Sequence, residues 1–126
     1  MANEITYSAD FRVKETDGID EDWKVSREQF NLADAGVVNS VLSIGTSEEV
    51  ISFGDLASPA WVAFKNLDPD NFVQIGPESG GALIPFLNLP AGYVSPPVPV
   101  DASMVLRAKA DTAACLVQVL IVGPTS

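Results

Sequence analysis

The chain has 126 residues, of which 47% are hydrophobic and 19% are charged, and its formal net charge is −10. A chain of this length and composition can bury its own core, which excludes disorder of the whole chain. The acidic excess disfavours nucleic-acid phosphates and anionic membranes as partners, and a single cysteine excludes an intrachain disulfide. We therefore predict one domain over residues 1–126, with no nucleic-acid partner and no membrane partner.

The first segment, residues 4–14, alternates apolar with polar side chains. This period of two predicts a strand with one buried face and one wet face. Its apolar residues are Ile5, Tyr7, Ala9, Phe11 and Val13. An acidic turn is expected next, over Thr16–Asp22. A weak divalent-ion site in this turn stays open, although the order of its acids does not fit a calcium loop. Those acids are Asp17, Asp20, Glu21 and Asp22.

The rest of the chain is a series of short apolar runs separated by Gly, Pro, Asn and Asp. The runs predict strands near 23–32, 37–45, 48–54, 60–66, 71–76, 82–88, 103–110 and 114–122. Turn chemistry falls at 68–71, 78–81 and 90–92, and the prolines of 96–99 indicate a loop or a sheet edge. The best helical candidate is one short turn near 55–60, which Pro59 limits. This pattern predicts an all-β fold, an antiparallel β-sandwich of jelly-roll-like type or a related barrel.

Residues that could perform catalysis are scarce. The chain has no histidine, which removes the usual general base and the commonest zinc ligand. Ser79 therefore has no histidine to activate it, and we assign it to a hairpin turn. Asp111-Thr-Ala113 has only part of an aspartic-protease motif and is expected to join two strands. Cys115 lies among apolar neighbours and is expected to be buried and inert. We predict no enzyme activity, no catalytic residue, no metal and no cofactor.

Two long segments carry no charge at all, residues 79–100 and 112–126. The first segment begins at the tip of a hairpin that is predicted over Phe72–Leu89, with a positive φ at Gly80 or Gly81. Uncharged apolar surface of this extent is typical of contacts between subunits, although central strands of a sandwich would be uncharged too. We predict an interface built from Ile84, Phe86, Leu87, Leu89, Tyr93, Val94, Val98 and Val100.

Residues 60–122 resemble small structural proteins of tailed bacteriophages. The resemblance rests on Asn66-Leu-Asp, Asn71-Phe-Val-Gln-Ile-Gly, Gly80-Gly, Ile84-Pro-Phe-Leu, Leu89-Pro-Ala-Gly, Leu106-Arg-Ala-Lys-Ala-Asp-Thr-Ala-Ala and a closing apolar strand. It implies a β-rich virion component present in many copies. On this basis we expect a capsid decoration (cement) subunit that binds itself, as a homotrimer, and the major capsid protein or another virion protein.

Two other functions remain open at this stage. The first is a tail or neck component of the same kind of virion. The second is a carbohydrate-binding module in which Tyr7, Trp23, Trp61 and Tyr93 form a sugar-stacking platform.

The first residues show neither the basic segment nor the apolar core of a signal peptide. Synthesis in a host cytoplasm and a final location in the virion are therefore expected.

Overall fold

The computed structural model describes residues 5–14, 18, 20–30, 36–52, 59–101 and 103–123. Within them the chain forms only β-strands, without a helix long and apolar enough to cross a membrane, and all pairings are antiparallel. The all-β prediction is confirmed. The strands are β1 (Ile5–Lys14), β2 (Asp20–Phe30), β3 (Val37–Ile44), β4 (Glu49–Val50), β5 (Trp61–Asn66), β6 (Val73–Ser79), β7 (Ala82–Leu83), β8 (Leu87–Leu89), β9 (Val98–Pro99), β10 (Leu106–Ala110) and β11 (Cys115–Val122).

The chain divides into two compact units, which are described separately. One comprises Met1–Asp34 with Thr125–Ser126, and the other comprises Ala35–Pro124. The single domain expected over residues 1–126 stays a prediction. Most of the helical turn expected near 55–60 lies outside the described residues.

The first unit is a two-stranded ribbon of β1 and β2. Its register places Asp10 opposite Lys24 and Phe11 opposite Trp23. The register shifts after Tyr7, where β2 contributes one residue more than β1, so the ribbon contains a β-bulge. Arg27 lies in this bulge with a φ of 41°, a conformation that is uncommon outside glycine.

The apolar face of this ribbon is not buried as the sequence led us to expect. Phe11 is 67% exposed and Trp23, directly opposite, is 73% exposed. The prediction of a buried face on the first strand is therefore wrong at Phe11. The physical reason is that a two-stranded ribbon gives a side chain few neighbours on its own face.

The expected acidic turn is shorter than predicted. β2 already begins at Asp20, so Glu21 and Asp22 belong to a strand, where successive side chains point to opposite faces. Asp17 lies outside the described residues. Among the residues that are described, no group of three or more potential metal ligands occurs. The structure thus gives the divalent-ion hypothesis no support.

The second unit consists of two antiparallel sheets around one core. One sheet has the strand order β3-β11-β5-β9. The other has the order β4-β10-β6-β7, and β8 also pairs with β6. The side chains of β11 alternate strictly between the core and the outer face, so the sequence of this strand determines which face of the sheet is buried. The buried set is Cys115, Val117, Val119 and Ile121.

The core is filled from both sheets. β5 contributes Val62 and Phe64, and β6 contributes Val73 and Ile75. The side chains of Val73 and Ile75 are at most 1% exposed. Full burial of each such side chain stabilises the fold by about 1.5–3 kcal/mol relative to exposure. Burial of this kind therefore fixes which face of each strand is turned inward.

One side of the second unit is continuous, and the other is open. β3 pairs with β11 in the first sheet, and after Gly45 the chain continues into β4, which pairs with β10 in the second. The amide of Ala110 donates to the carbonyl of Gly45 at 2.8 Å, which joins the sheets at this corner into a curled half-barrel. On the opposite side, β9 ends one sheet while β7 and β8 end the other. No ladder between described residues connects those edges, and we call this open side the seam.

The predicted hairpin over Phe72–Leu89 is confirmed. β6 and β7 pair across a turn in which Gly80 and Gly81 have φ values of 61° and 79°. The second strand is interrupted at Pro85, which has no amide hydrogen. Ile84 and Phe86 on either side of it stay hydrogen-bonded to β6, and pairing resumes as β8 with the register shifted by one residue.

A buried asparagine holds the turn after β5. The side chain of Asn66 is fully buried, and its amide nitrogen donates to the carbonyls of Asn71 at 2.9 Å and Leu89 at 3.0 Å. Its oxygen accepts from the amide of Asp68 at 2.9 Å. The Asp68 carboxylate accepts from the amides of Asn71 at 2.6 Å and Asp70 at 3.0 Å, and these bonds lower its pKa. The turn predicted at 68–71 is thereby confirmed.

Candidate protein-binding cleft

An apolar cleft lies at the seam of the second unit. Its volume is about 290 Å³, near the lower end of the range for small-molecule sites. Val62 and Phe64 of β5 and Ile75 of β6 lie at its inner end, and Val98 lines it from β9. The cleft exists because the half-barrel is not closed here. The side chains at its inner end belong to the core, whereas those at its rim remain partly accessible.

The exposed wall of the cleft is Phe86. This side chain is 75% exposed although it lines an apolar cavity. An aromatic ring left in water at the rim of an apolar cavity is typical of a protein contact.

The backbone on either side of Phe86 is held firmly. The amide of Phe86 donates to the carbonyl of Ile75 at 3.1 Å, and the amide of Ile84 donates to the carbonyl of Pro77 at 2.8 Å. This segment passes so close to Gly76 that a side-chain carbon there would collide with the Ile84 carbonyl and lie 2.8 Å from the Phe86 amide nitrogen. Gly76 is therefore required for the position of Phe86.

The tip of the same hairpin is tied to its surroundings by two acids. The Glu48 carboxylate accepts a hydrogen bond from the amide of Leu83. Glu78 on β6 pairs with Arg107 on β10, with Nε–Oε1 and Nη2–Oε1 distances of 2.7 and 2.6 Å. This ion pair is partly shielded from water, which strengthens it relative to a fully exposed pair.

One ionisable side chain lines the cleft among the described residues, that of Asp101. Its carboxylate accepts from the hydroxyl of Ser103 at 2.6 Å and from the amide of Ser103 at 2.8 Å. These bonds stabilise the charged form and lower the pKa of Asp101. The cleft therefore presents an apolar interior with a single negative charge.

The predicted interface residues divide into four groups. Four of them line the cleft, namely Phe86, Leu87, Val98 and Val100. Ile84 is exposed next to the same segment, whereas Leu89 is only 6% exposed and belongs to the core. Tyr93 and Val94 are exposed elsewhere, where Val94 forms an isolated bridge with Lys65 of β5.

That bridge places Val94 beside the outer face of the sheet β3-β11-β5-β9. This outer face is largely uncharged, since Lys65 is the one charged residue among the strands of the sheet. It exposes large apolar side chains, including Val41 and Leu116. Tyr93 is also exposed, and its carbonyl accepts from the amide of Asn66 at the end of β5. The sheet thus offers a second apolar surface, on its outer side.

Sequence reasoning missed several cleft residues. Met104 and Leu106 line the cavity, but they lie outside the charge-free segments on which the prediction was based. Gly76 carried a usable signal, because a glycine inside a strand often marks close approach by another backbone. No sequence signal located the seam itself, which depends on how two sheets meet.

The structure places the remaining candidate residues away from any shared chemistry. Ser79 ends β6 beside the Gly-Gly turn, and Asp111 begins the connection between β10 and β11. Cys115 is completely buried, and burial, followed by the charges of Asp68 and Asp111, raises the pKa of its thiol. A raised pKa keeps the thiol protonated, in agreement with the predicted inert role.

The structure gives the proposed sugar platform no support at Trp61. Trp61 is buried at 9% exposure on β5, so its ring does not provide an open stacking surface. Trp23 and Tyr93 are exposed. The prediction of a sugar-stacking platform is wrong at Trp61 because packing at the end of the sheet covers the ring.

No protein-family model, no curated protein and no solved structure matches this chain. The resemblance to phage structural proteins therefore stays a prediction.

Proposed function

We propose that this chain is a virion structural protein of a tailed bacteriophage, a capsid decoration subunit that acts by protein–protein contact. The observation that carries the proposal is the meeting of Phe86, Leu87, Val98 and Val100 at one apolar cleft. All four residues belong to the charge-free segment 79–100, for which the sequence predicts an interface. The phage setting comes from the sequence resemblance, and the cleft supports the mode of binding.

The cleft suits an apolar side chain or short apolar segment of a partner protein. Apolar contact at the centre of an interface, with charge kept to the rim, is the usual arrangement in protein complexes. Asp101 at the cavity wall would favour a partner whose contacting segment also carries a cation or a hydrogen-bond donor.

The virion setting is tested with an antibody raised against the purified protein. Particles from a phage-producing culture of the source are separated by density gradient into complete virions, heads and tails, and each fraction is blotted and quantified by mass spectrometry. Detection in heads at high copy number supports a decoration subunit. Detection in tails alone supports the tail or neck component instead, and absence from every particle fraction refutes the proposal.

The binding mode is tested with charge substitutions at exposed apolar positions. Phe86→Asp should abolish attachment to heads that lack the protein, since it places a charge at the rim of the apolar cleft. Val50→Asp, at an exposed position on the short edge strand β4, is the matched control and should attach normally. Leu116→Asp tests the outer face of the sheet. Loss of attachment with Leu116→Asp but not with Phe86→Asp would move the binding site from the cleft to that face.

A further inference from the structure

β3, the first strand of the second unit, is a long open sheet edge. β3 has eight residues and pairs with β11 on one side, and no strand of the described residues pairs with its other side. The other terminal strands of the two sheets, β4, β7 and β9, have two residues each. An open strand presents a row of unpaired amides and carbonyls, which is a template for another strand.

The direction of each backbone group on β3 follows from one hydrogen bond. The amide of Gly123 donates to the carbonyl of Gly36 at 2.7 Å, in register with the ladder between β11 and β3. Because bonding direction alternates along an antiparallel pair, the even-numbered residues of β3 face β11. The residues whose amides and carbonyls face the open edge are therefore Val37, Asn39, Val41 and Ser43.

Protective devices that usually block such an edge are missing from β3. The strand carries no charge and no proline, and its register with β11 continues without a bulge from Val37 to Ile44. The ribbon strands β1 and β2, by contrast, carry charges at many positions and contain the bulge at Arg27. The short edge strand β9 contains Pro99.

We propose that β3 pairs with β3 of a second copy of this chain, antiparallel about a two-fold axis at Ser40. In this register Val37 lies opposite Ser43 of the second copy, and Asn39 lies opposite Val41 of the second copy. The four residues of each copy whose amides and carbonyls face the open edge then all form hydrogen-bonded pairs. The two four-stranded sheets join into one continuous sheet with β3 and its symmetry mate at the centre.

The edge at β3 is favoured for contact between identical chains because its sheet carries no negative charge. Each copy carries a net charge of −10, so most approaches between copies bring like charges together. The sheet that contains β3 has no acidic residue, and its charged residue is Lys65 on β5. Val37 and Val41 are 59% and 52% exposed, so pairing also removes apolar surface from water.

This inference goes beyond the proposed function, because it holds whichever protein binds the cleft. It also differs from the expected homotrimer, since pairing about a two-fold axis joins copies in twos. Sedimentation of the purified protein at micromolar concentration distinguishes the two masses. We expect a dimer, and a monomer or a trimer would overturn the inference.

The contact is located with substitutions at Val41. Val41→Pro removes an amide that faces the open edge and is not used by β11, and it should convert the dimer to a monomer with an unchanged far-ultraviolet circular dichroism spectrum. Val41→Lys should do the same, because the two lysines would be diagonal neighbours across the contact, each beside Asn39 of the other copy, and would repel each other. Val41→Thr keeps the amide and the shape of the side chain, and it should remain dimeric. A dimer that survives both Val41→Pro and Val41→Lys would overturn the pairing.

The register is tested by cross-linking. Ser40 and Ser40 of the second copy form a non-hydrogen-bonded pair, for which the Cα separation is about 4.5 Å, within the range of disulfides. Ser40→Cys should therefore give a covalent dimer on mild oxidation, since Cys115 is buried and does not compete. Ser43→Cys is the control, because its two copies lie about 20 Å apart at roughly 3.4 Å per residue. Cross-linking of Ser43→Cys but not of Ser40→Cys would refute this register.

Discussion

Gly76→Ala tests whether the wall of the cleft is held by a close backbone approach. A methyl group at this position would meet the Ile84 carbonyl and the Phe86 amide nitrogen, which are both backbone atoms and cannot rotate away. The segment must therefore move outward, which breaks or weakens its two hydrogen bonds to Ile75 and Pro77.

The cost follows from these contacts. Loss of two backbone hydrogen bonds removes about 0.5–1.5 kcal/mol each, and overpacking adds about 1–3 kcal/mol. Alanine returns about 0.4–1 kcal/mol by restricting the unfolded chain. We expect Gly76→Ala to lower the free energy of unfolding by about 2–4 kcal/mol, a large part of the stability of a small domain.

Gly45→Ala is the matched control. Its added carbon would lie 3.5 Å from Oε2 of Glu49, an ordinary contact, and neither glycine has a positive φ. Both variants are unfolded in urea and followed by the fluorescence of Trp61, in a background where Trp23→Phe removes the exposed indole. If Gly76→Ala is as stable as Gly45→Ala, the close approach and the account of the cleft wall are incorrect.

Three further predictions concern the turns of the second unit. Asn66→Ala should lower the free energy of unfolding in urea by about 2–4 kcal/mol, because it leaves the carbonyls of Asn71 and Leu89 without their donor. The control Asn88→Ala, at an exposed position, should lower it by less than about 0.5 kcal/mol. Equal effects of the two substitutions would contradict the role of the Asn66 hydrogen bonds. Gly81→Val should lower the free energy of unfolding by about 1–3 kcal/mol, because valine is strained at the positive φ of this position. The control is Ser79→Val, and equal stability of the two variants would show that the turn relaxes. The pKa of Asp68 is lowered by hydrogen bonds to two amides, so its stabilising effect is present above the ordinary aspartate value of about 3.9 and is lost as the pH falls through the lowered value. The stability difference between wild type and Asp68→Asn should therefore shrink on acidification across that window, and a constant difference would refute the assignment.

The strands for which both the extent and the inward face were well predicted are those in which one face is buried by a second layer. β11 alternates over its whole length, so its pattern indicated both its extent and its inward face. β3, β5 and β10 were found for the same reason, with bounds that differ by up to three residues from those observed. The Gly-Gly hairpin was predicted from turn chemistry alone.

The features that were missed depend on the environment of a strand more than on its own pattern. The alternation of β1 is as regular as that of β11, but the ribbon leaves Phe11 exposed. β9 was not predicted as a strand, because Pro99 disfavours central positions and is tolerated at an edge. The seam could not be predicted, since it arises where two sheet edges fail to meet.

The charge-free segment 79–100 shows why the absence of charge does not by itself identify an interface. Its residues go to different environments, with Leu89 in the core and Leu87 and Val98 half-buried at the cleft. Both a core and an interface exclude charge, so the sequence pattern cannot separate them. What separates them is the apolar surface that remains in water after the core has been filled. By that criterion the residues of this segment whose burial a partner would complete are Ile84 and Phe86 at the seam and Tyr93 and Val94 near the end of β5.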